Sequence, residues 1–210
     1  MLYCHAPIGD AHSTLIMTPI EQPIPSLIVY SEQDRNTVSQ IRHKETAAVI
    51  HQSGEDTLAY ANLNGLDLCE ADLSNEDLTG TDLQRAKLCR AALNHANLSF
   101  ADLTAARISS AELREASLVC AEMTLSDLRK ADLSGADLTG ADLFGANLSN
   151  AILTDANLCG ADLASADLRG TTFLRTRYDR ETRWPENFKV RQYGNLLLAV
   201  NEVGSPQDCK

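Results

Sequence analysis

The chain is poor in positive charge, in aromatic side chains and in long apolar runs, and each shortage excludes something. Lys and Arg number 18 against 29 Asp and Glu, a net charge of −11. A general nucleic-acid binder needs the opposite balance, because affinity for phosphates comes from cations that release counterions. Aromatics make up 5% of the 210 residues, so a core must be built from small and aliphatic side chains, and no bases can be stacked on interleaved rings. The longest apolar runs, such as "NLLLAV" at 195–200, are far too short for a bilayer helix. The opening "MLYCHAPIGDAHSTLIM" lacks a basic start followed by an apolar stretch. These features predict no membrane contact and a cytoplasmic location. Six cysteines stand at 4, 69, 89, 120, 159 and 209 without a Cys-x-x-Cys pair or a neighbouring His cluster. They read as reduced thiols, with no metal and no cofactor.

What is present in abundance is one phrase. "ADLSGADLTGADLFGANLSN" (131–150) repeats Ala, then Asp or Asn, then Leu, then two looser residues. The register is unbroken from Ala61 to Gly170, which is 110 residues or 22 units of five. The central residue is Leu in 20 of them, Ile108 and Met123 being the exceptions. The residue two before it is Ala in 18, the exceptions being Leu66, Glu76, Thr81 and Ser126. On an α-helix, five residues turn the chain through about 500°, so the leucines form no stripe. On a flat strand, an odd spacing throws them to alternate faces. Gly, Asn, Asp and Ser after each Leu suggest a turn in every unit. A chain bending once per unit keeps Leu and Ala inward, and must then coil and stack, because one coil cannot bury its own interior.

This pattern resembles the pentapeptide repeat family, and the match covers a little over half of the chain. The resemblance implies an all-β solenoid, a right-handed quadrilateral β-helix with four units per coil. The run then makes about 5.5 coils and extends about 26 Å at the strand spacing of a sheet. A Tyr-Asp…Thr-x-Trp-Pro…Phe tail, here "YDRETRWPENF" from Tyr178 to Phe188, is similar to tails that follow such runs in cyanobacterial proteins and hints at that source.

Open coil ends need covering. "SEQDRNTVSQIRHKETAAVIHQSG" reads as an amphipathic helix over 31–55, with Val38, Ile41, Ala48 and Val49 on one face and Gly54 ending it. It is expected to lid the first coil. Residues 1–30 carry four prolines and no periodicity, and read as a mobile tail; Met17 is a plausible alternative start. The solenoid is expected over 56–180, with Phe173 and Tyr178 plugging its last coil, and 181–210 as a C-terminal cap or tail. Glu76 falls at an inward position, where an unpaired carboxylate is costly, and is expected to find a cation or water near the lid.

Function must then lie on outward positions. One column reads Asn62, Asp82, Asp102, Glu122, Asp142, Asp162, an acidic stripe suited to a basic protein or to imitating DNA phosphates. The neighbouring face carries Lys87, Arg90, Arg107, Arg129, Lys130 and Arg169, interrupted by Asp67, Glu70, Asp127 and Asp167; it reads as a balancing surface, with no direct nucleic-acid contact. Phe100, Val119, Cys120, Leu125 and Phe144 form an apolar candidate for protein contact or self-association. Cys69 and Cys89 occupy equivalent places on adjacent coils and are expected to be neighbouring thiols. No phosphate loop, nucleophile elbow or His-Glu-x-x-His occurs, so no catalytic residue is assigned. The sequence points to a non-enzymatic scaffold for an unidentified protein partner, with a regulatory role or a homodimer left open. The alternative, implied by the quinolone-resistance branch of the resembled family, is a DNA mimic that modulates a type II topoisomerase, gyrase.

Overall fold

Each unit of five makes one turn, and the backbone shows why. The residue two after the central Leu has φ near +60° throughout: eighteen non-glycine residues have positive φ, and all but Ala47 are such corners, joined by Gly65, Gly80, Gly135, Gly140, Gly145, Gly160 and Gly170. The next N–H donates back to the Leu carbonyl, as from Leu66 to Leu63 at 3.2 Å. Positive φ at the third residue of such a turn is the type II signature. Four turns bring the chain round by 20 residues, since Asn62 bridges Asp82 in parallel, Asp82 bridges Asp102, and so on in all four columns. The computed structural model, which describes residues 39–54, 57–186, 188, 190–193 and 196–199, is therefore a four-sided β-helix.

The faces are numbered by their central residues: face 1 from Leu63, face 2 from Leu68, face 3 from Leu73 and face 4 from Leu78, each repeating every 20 residues. The central leucines from Leu63 to Leu163 are buried, as are the inward alanines from Ala86 to Ala161 that keep the bore narrow. Each buried Leu contributes about 2 kcal/mol of transfer free energy.

In a stacked unit with Asp or Asn before its Leu every amide has a partner, which a buried ladder favours. Leu63 donates to Asp82 O (2.8 Å), Gly65 to Gln84 O (2.8 Å) and Asp82 to Ala61 O (3.0 Å). The amide just after the Leu is the one the ladder leaves over. The Asp or Asn two residues earlier takes it: Asn64 N–H donates to Asn62 Oδ1 (3.1 Å), Thr104 to Asp102 (2.9 Å) and Phe144 to Asp142 (2.9 Å). The recurrent Asp or Asn is thus an Asx-turn residue that completes the backbone.

Both ends are closed by β-hairpins, not by a helix. Strands β1 (Gln40–His43) and β2 (Val49–Gln52) pair antiparallel, and β1 pairs with β3 (Ala71–Asp72) on face 3. At the far end β4 (Phe173–Leu174) pairs with β6 (Leu196–Ala199), which pairs with β5 (Val190–Tyr193). The helix expected over 31–55 is corrected for its described part, 39–54. The physical reason is the open edge of the first coil: its backbone groups need in-register partners such as the Lys44 amide on Glu70 O (2.8 Å), which a strand supplies and a helix does not. The capping role survives, with Ile41 fully buried against the core. The tail expected over 1–30, with Met17, lies outside the described residues.

The last coil is filled as expected by Phe173 and Tyr178, and Trp184 and Phe188 join them. Trp184 stacks on Phe188 with centroids 5.1 Å apart and meets Tyr178 edge-on at 5.6 Å. One extra residue enters here, since Asp162 bridges Arg183 across 21 positions rather than 20. Glu76 is corrected too: it is exposed. It belongs to the first coil, whose inward positions are packed from one side only, so Ala61 and Leu66 are also partly open there.

Candidate protein-docking face

The acidic residues come together as the 20-residue period dictates. Asp82, Asp102, Glu122, Asp142 and Asp162 are successive rungs of one bridge ladder on face 1, about 4.8 Å apart. Asp162, at the end, pairs with Arg183 at 2.5 Å. The other four have no ion pair among the described residues. Asp82 and Asp102 accept side-chain amide hydrogen bonds from Asn64 (3.3 Å) and Gln84 (2.6 Å), which satisfy lone pairs and leave the charge.

On faces 2 and 3 most acids are neutralised, while Asp72, Asp77 and Asp137 have no ion pair among the described residues and no acidic neighbour in their ladders. On face 2 the interrupting carboxylates pair with the basic stripe: Lys87 with Asp67 at 2.9 Å, Arg129 with Asp127 at 2.7 Å, Arg169 with Asp167 at 2.7 Å, and Arg90 with Glu70. The hydrogen-bonding cation holds the carboxyls of Asp67, Glu70, Asp127 and Asp167 below their ordinary range. Face 3 pairs Arg114 with Asp132 (2.6 Å), Arg175 with Asp155 (2.5 Å) and Lys44 of the hairpin with Glu112 (3.1 Å). Arg107 and Lys130 have no ion pair among the described residues. A depression of about 410 Å³ lies at the corner after face 2, lined by Ser109, Ser110, Arg129, Lys130, Ser149 and Asn150. Its guanidinium is already held by Asp127.

The five apolar candidates do not form one cluster. Phe100, Val119 and Cys120 lie at and just before the corner between faces 4 and 1, all half-buried. Leu125 and Phe144 lie on the other margin of face 1 and are 62% and 45% exposed. The carboxylate ladder runs between the two groups, because Asp102, Glu122 and Asp142 are the outward residues separating those positions in the chain. Leu125 folds over the next corner down: a Cβ on Gly145 would come within 2.8 Å of Leu125 Cδ2. Tyr60 does the same at Gly80, at 2.6 Å. Bare corners thus admit large side chains from the coil before, an arrangement that only the stacking reveals.

Cys69 and Cys89 are free thiols on adjacent coils. Burial, with help from Asp67, pushes the Cys69 thiol up to about 11, so it is protonated at neutral pH and a poor nucleophile. The expectation of reduced thiols is corrected at two positions: Cys120 and Cys159 each take part in a disulfide. Pairing follows proximity in space, which Cys spacing along a coiled chain does not display. Cys4 and Cys209 lie outside the described residues. Among the described residues no group of three His, Cys, Asp or Glu could hold a metal ion, and no helix is long and apolar enough to cross a membrane.

The sequence pattern described as pentapeptide repeats matches residues 77–109, 106–143 and 141–173, in eight copies. Among solved structures the chain is 31% identical to Rfr23, a pentapeptide repeat protein from the cyanobacterium Cyanothece 51142, over 59% of this chain and 90% of that one, with a TM-score of 0.49. It is 29% identical to HetL from the cyanobacterium Nostoc sp. strain PCC 7120, a pentapeptide repeat protein involved in heterocyst differentiation regulation, over 69% and 72% of the two chains, with a TM-score of 0.42. It is 20% identical to QnrB1, a plasmid-mediated fluoroquinolone resistance protein, over 54% and 67%, with a TM-score of 0.41. A comparison with curated proteins gives no match.

Proposed function

The chain belongs to the pentapeptide repeat family, whose members fold as right-handed β-helices, and from that premise we propose that it is a non-enzymatic interaction protein that docks another protein on face 1. The observation that carries this reading is the run of four successive carboxylates, Asp82, Asp102, Glu122 and Asp142, none with an ion pair among the described residues, whereas the other unpaired acids of the repeat ladders, Asp72, Asp77 and Asp137, have no acidic neighbour on the adjacent coils. Like charges about 4.8 Å apart repel, and a cationic partner removes that repulsion. Exposed Leu125 and Phe144 on the margin add apolar contact. The filled bore offers no enclosed site for a substrate.

The test is affinity capture from source cells on the tagged full-length chain, at low and high salt. A face 1 partner is lost with Glu122→Lys plus Asp142→Lys and with Phe144→Asp, and its capture weakens with salt. A partner retained by all these variants rejects face 1. Phe100→Asp separately probes the opposite margin. The DNA-mimic alternative draws on the same ladder; unaltered supercoiling by gyrase in the presence of the chain removes it. A cytoplasmic location and a homodimer remain parts of the proposal. The disulfides at Cys120 and Cys159 pull towards an oxidising compartment, so cell fractionation with thiol trapping decides the first, and sedimentation decides the second.

A further inference from the structure

Resting on the reading of face 1 as a docking surface, we infer that its occupant is an amphipathic α-helix of the partner, with Lys or Arg once per turn along the ladder and apolar residues towards Leu125 and Phe144. The argument is one of charge, flanking chemistry and period. Asp82, Asp102, Glu122 and Asp142 present four carboxylates in line, one per coil, with no ion pair among the described residues, so the complementary element is cationic and linear. The column beside them on the same face carries Gln84, Thr104 and Thr124 and then Phe144, and the corner beyond it carries exposed Arg85 beside Asp82, then Ala105 and Leu125. Apolar side chains flank the ladder on both margins, but Phe100, Val119 and Cys120 on the other margin are half-buried, so the exposed apolar surface offered to the element lies on the side of Leu125 and Phe144.

Its secondary structure follows from spacing. The ladder advances about 4.8 Å per rung, hence about 14 Å from Asp82 to Asp142. A helix advances about 5.4 Å per turn, so cations spaced one turn apart cover about 16 Å over the same three steps. The mismatch of about 2 Å is within the reach of flexible Lys and Arg side chains. A strand presents same-side residues about 6.8 Å apart, which gives about 20 Å over three steps, a mismatch of about 6 Å against about 2 Å for the helix. A helix is also about 10–12 Å across with its side chains, and so covers the ladder and one margin together. This is docking of a helix on a flat wall, with the i, i+3/i+4, i+7 anchors such docking uses.

The experiment uses the full-length chain and two synthetic peptides of identical composition. One carries Lys at one-turn spacing with Leu on the adjacent stripe; the other has the same residues permuted to alternate with period two. Fluorescence anisotropy at low and physiological salt reads affinity, and circular dichroism reads peptide helicity. The expected result is binding of the helical peptide with a gain in helicity, on the order of tenfold tighter than the permuted one. Binding falls by a similar factor with Glu122→Gln plus Asp142→Asn. Those substitutions keep volume, and the side-chain carbonyl that Asp142→Asn retains can still accept the Phe144 amide, so an unchanged melting curve certifies the fold. Equal affinity for the two peptides, binding without helicity, or binding indifferent to the double substitution overturns the helix. If the helix fails in this way while a captured partner is still lost with Phe144→Asp, face 1 stands with a different occupant. If the captured partner ignores every face 1 substitution, the docking reading itself falls.

Discussion

Ser126 stands where the repeat places alanine, and among the described residues its hydroxyl is the buried side-chain polar atom without a hydrogen-bond partner. Other inward hydroxyls are satisfied: Thr81 donates to Leu78 O at 2.7 Å, Thr176 to Leu153 O at 2.7 Å and Thr182 to Leu158 O at 2.9 Å. Ser126→Ala removes an unmet donor and restores the residue its column carries at Ala106 and Ala146, so it is expected to raise stability by about 1 kcal/mol. Urea denaturation checks it, and a drop in midpoint would mean the hydroxyl has a partner. At this scale the inward Leu and Ala were legible from period alone. The role of the Asp before each Leu was not. It recurs because the following amide needs an acceptor, and that need appears only once the other amides have been assigned. Nor was positive φ at Arg85, Arg90 or Phe100 legible, since these residues carry no local preference for it; the coil imposes it.

A cap is needed at each end of the stack, and the sequence showed where but not of what kind. "ETAAV" favours helix by propensity, and Ile41, Ala48 and Val49 fit one helical face. Edge pairing overrides both, because an unpaired ladder edge costs more than a weak propensity. Ile41 is the residue that ties β1 to the first coil, with no exposed surface. Ile41→Ala is expected to cost about 2–5 kcal/mol. In a solenoid, stability passes between neighbouring coils, so the loss should be local. Amide exchange should quicken across residues 58–72 and stay unchanged around residues 150–160. Uniform acceleration along the chain would show instead that the hairpin holds the whole stack.

Across the molecule, charge is sorted by face, and this the sequence displays only after it is folded into columns of 20. That step made the acidic ladder and the basic stripe legible. The apolar candidates were misjudged as one group because equal closeness in sequence does not distinguish the two margins of a face. The paired acids set the response to pH. A hydrogen-bonded cation is the leading cause that holds Asp67, Glu70, Glu112, Asp127, Asp155 and Asp167 below their ordinary values. A carboxyl lowered in the folded state gives stability that is present above its unfolded value, roughly pH 4, and lost as pH falls through the folded value. The urea midpoint is therefore expected to be level from roughly pH 8 to 5 and to decline below roughly pH 4. The solvent-open pairs contribute little of this. Asp127, partly buried under Arg129, should contribute more, so Asp127→Asn should flatten the decline more than Asp155→Asn. Equal flattening by the two, or a midpoint that rises on acidification, would show that repulsion along face 1 outweighs the pairs on the other walls.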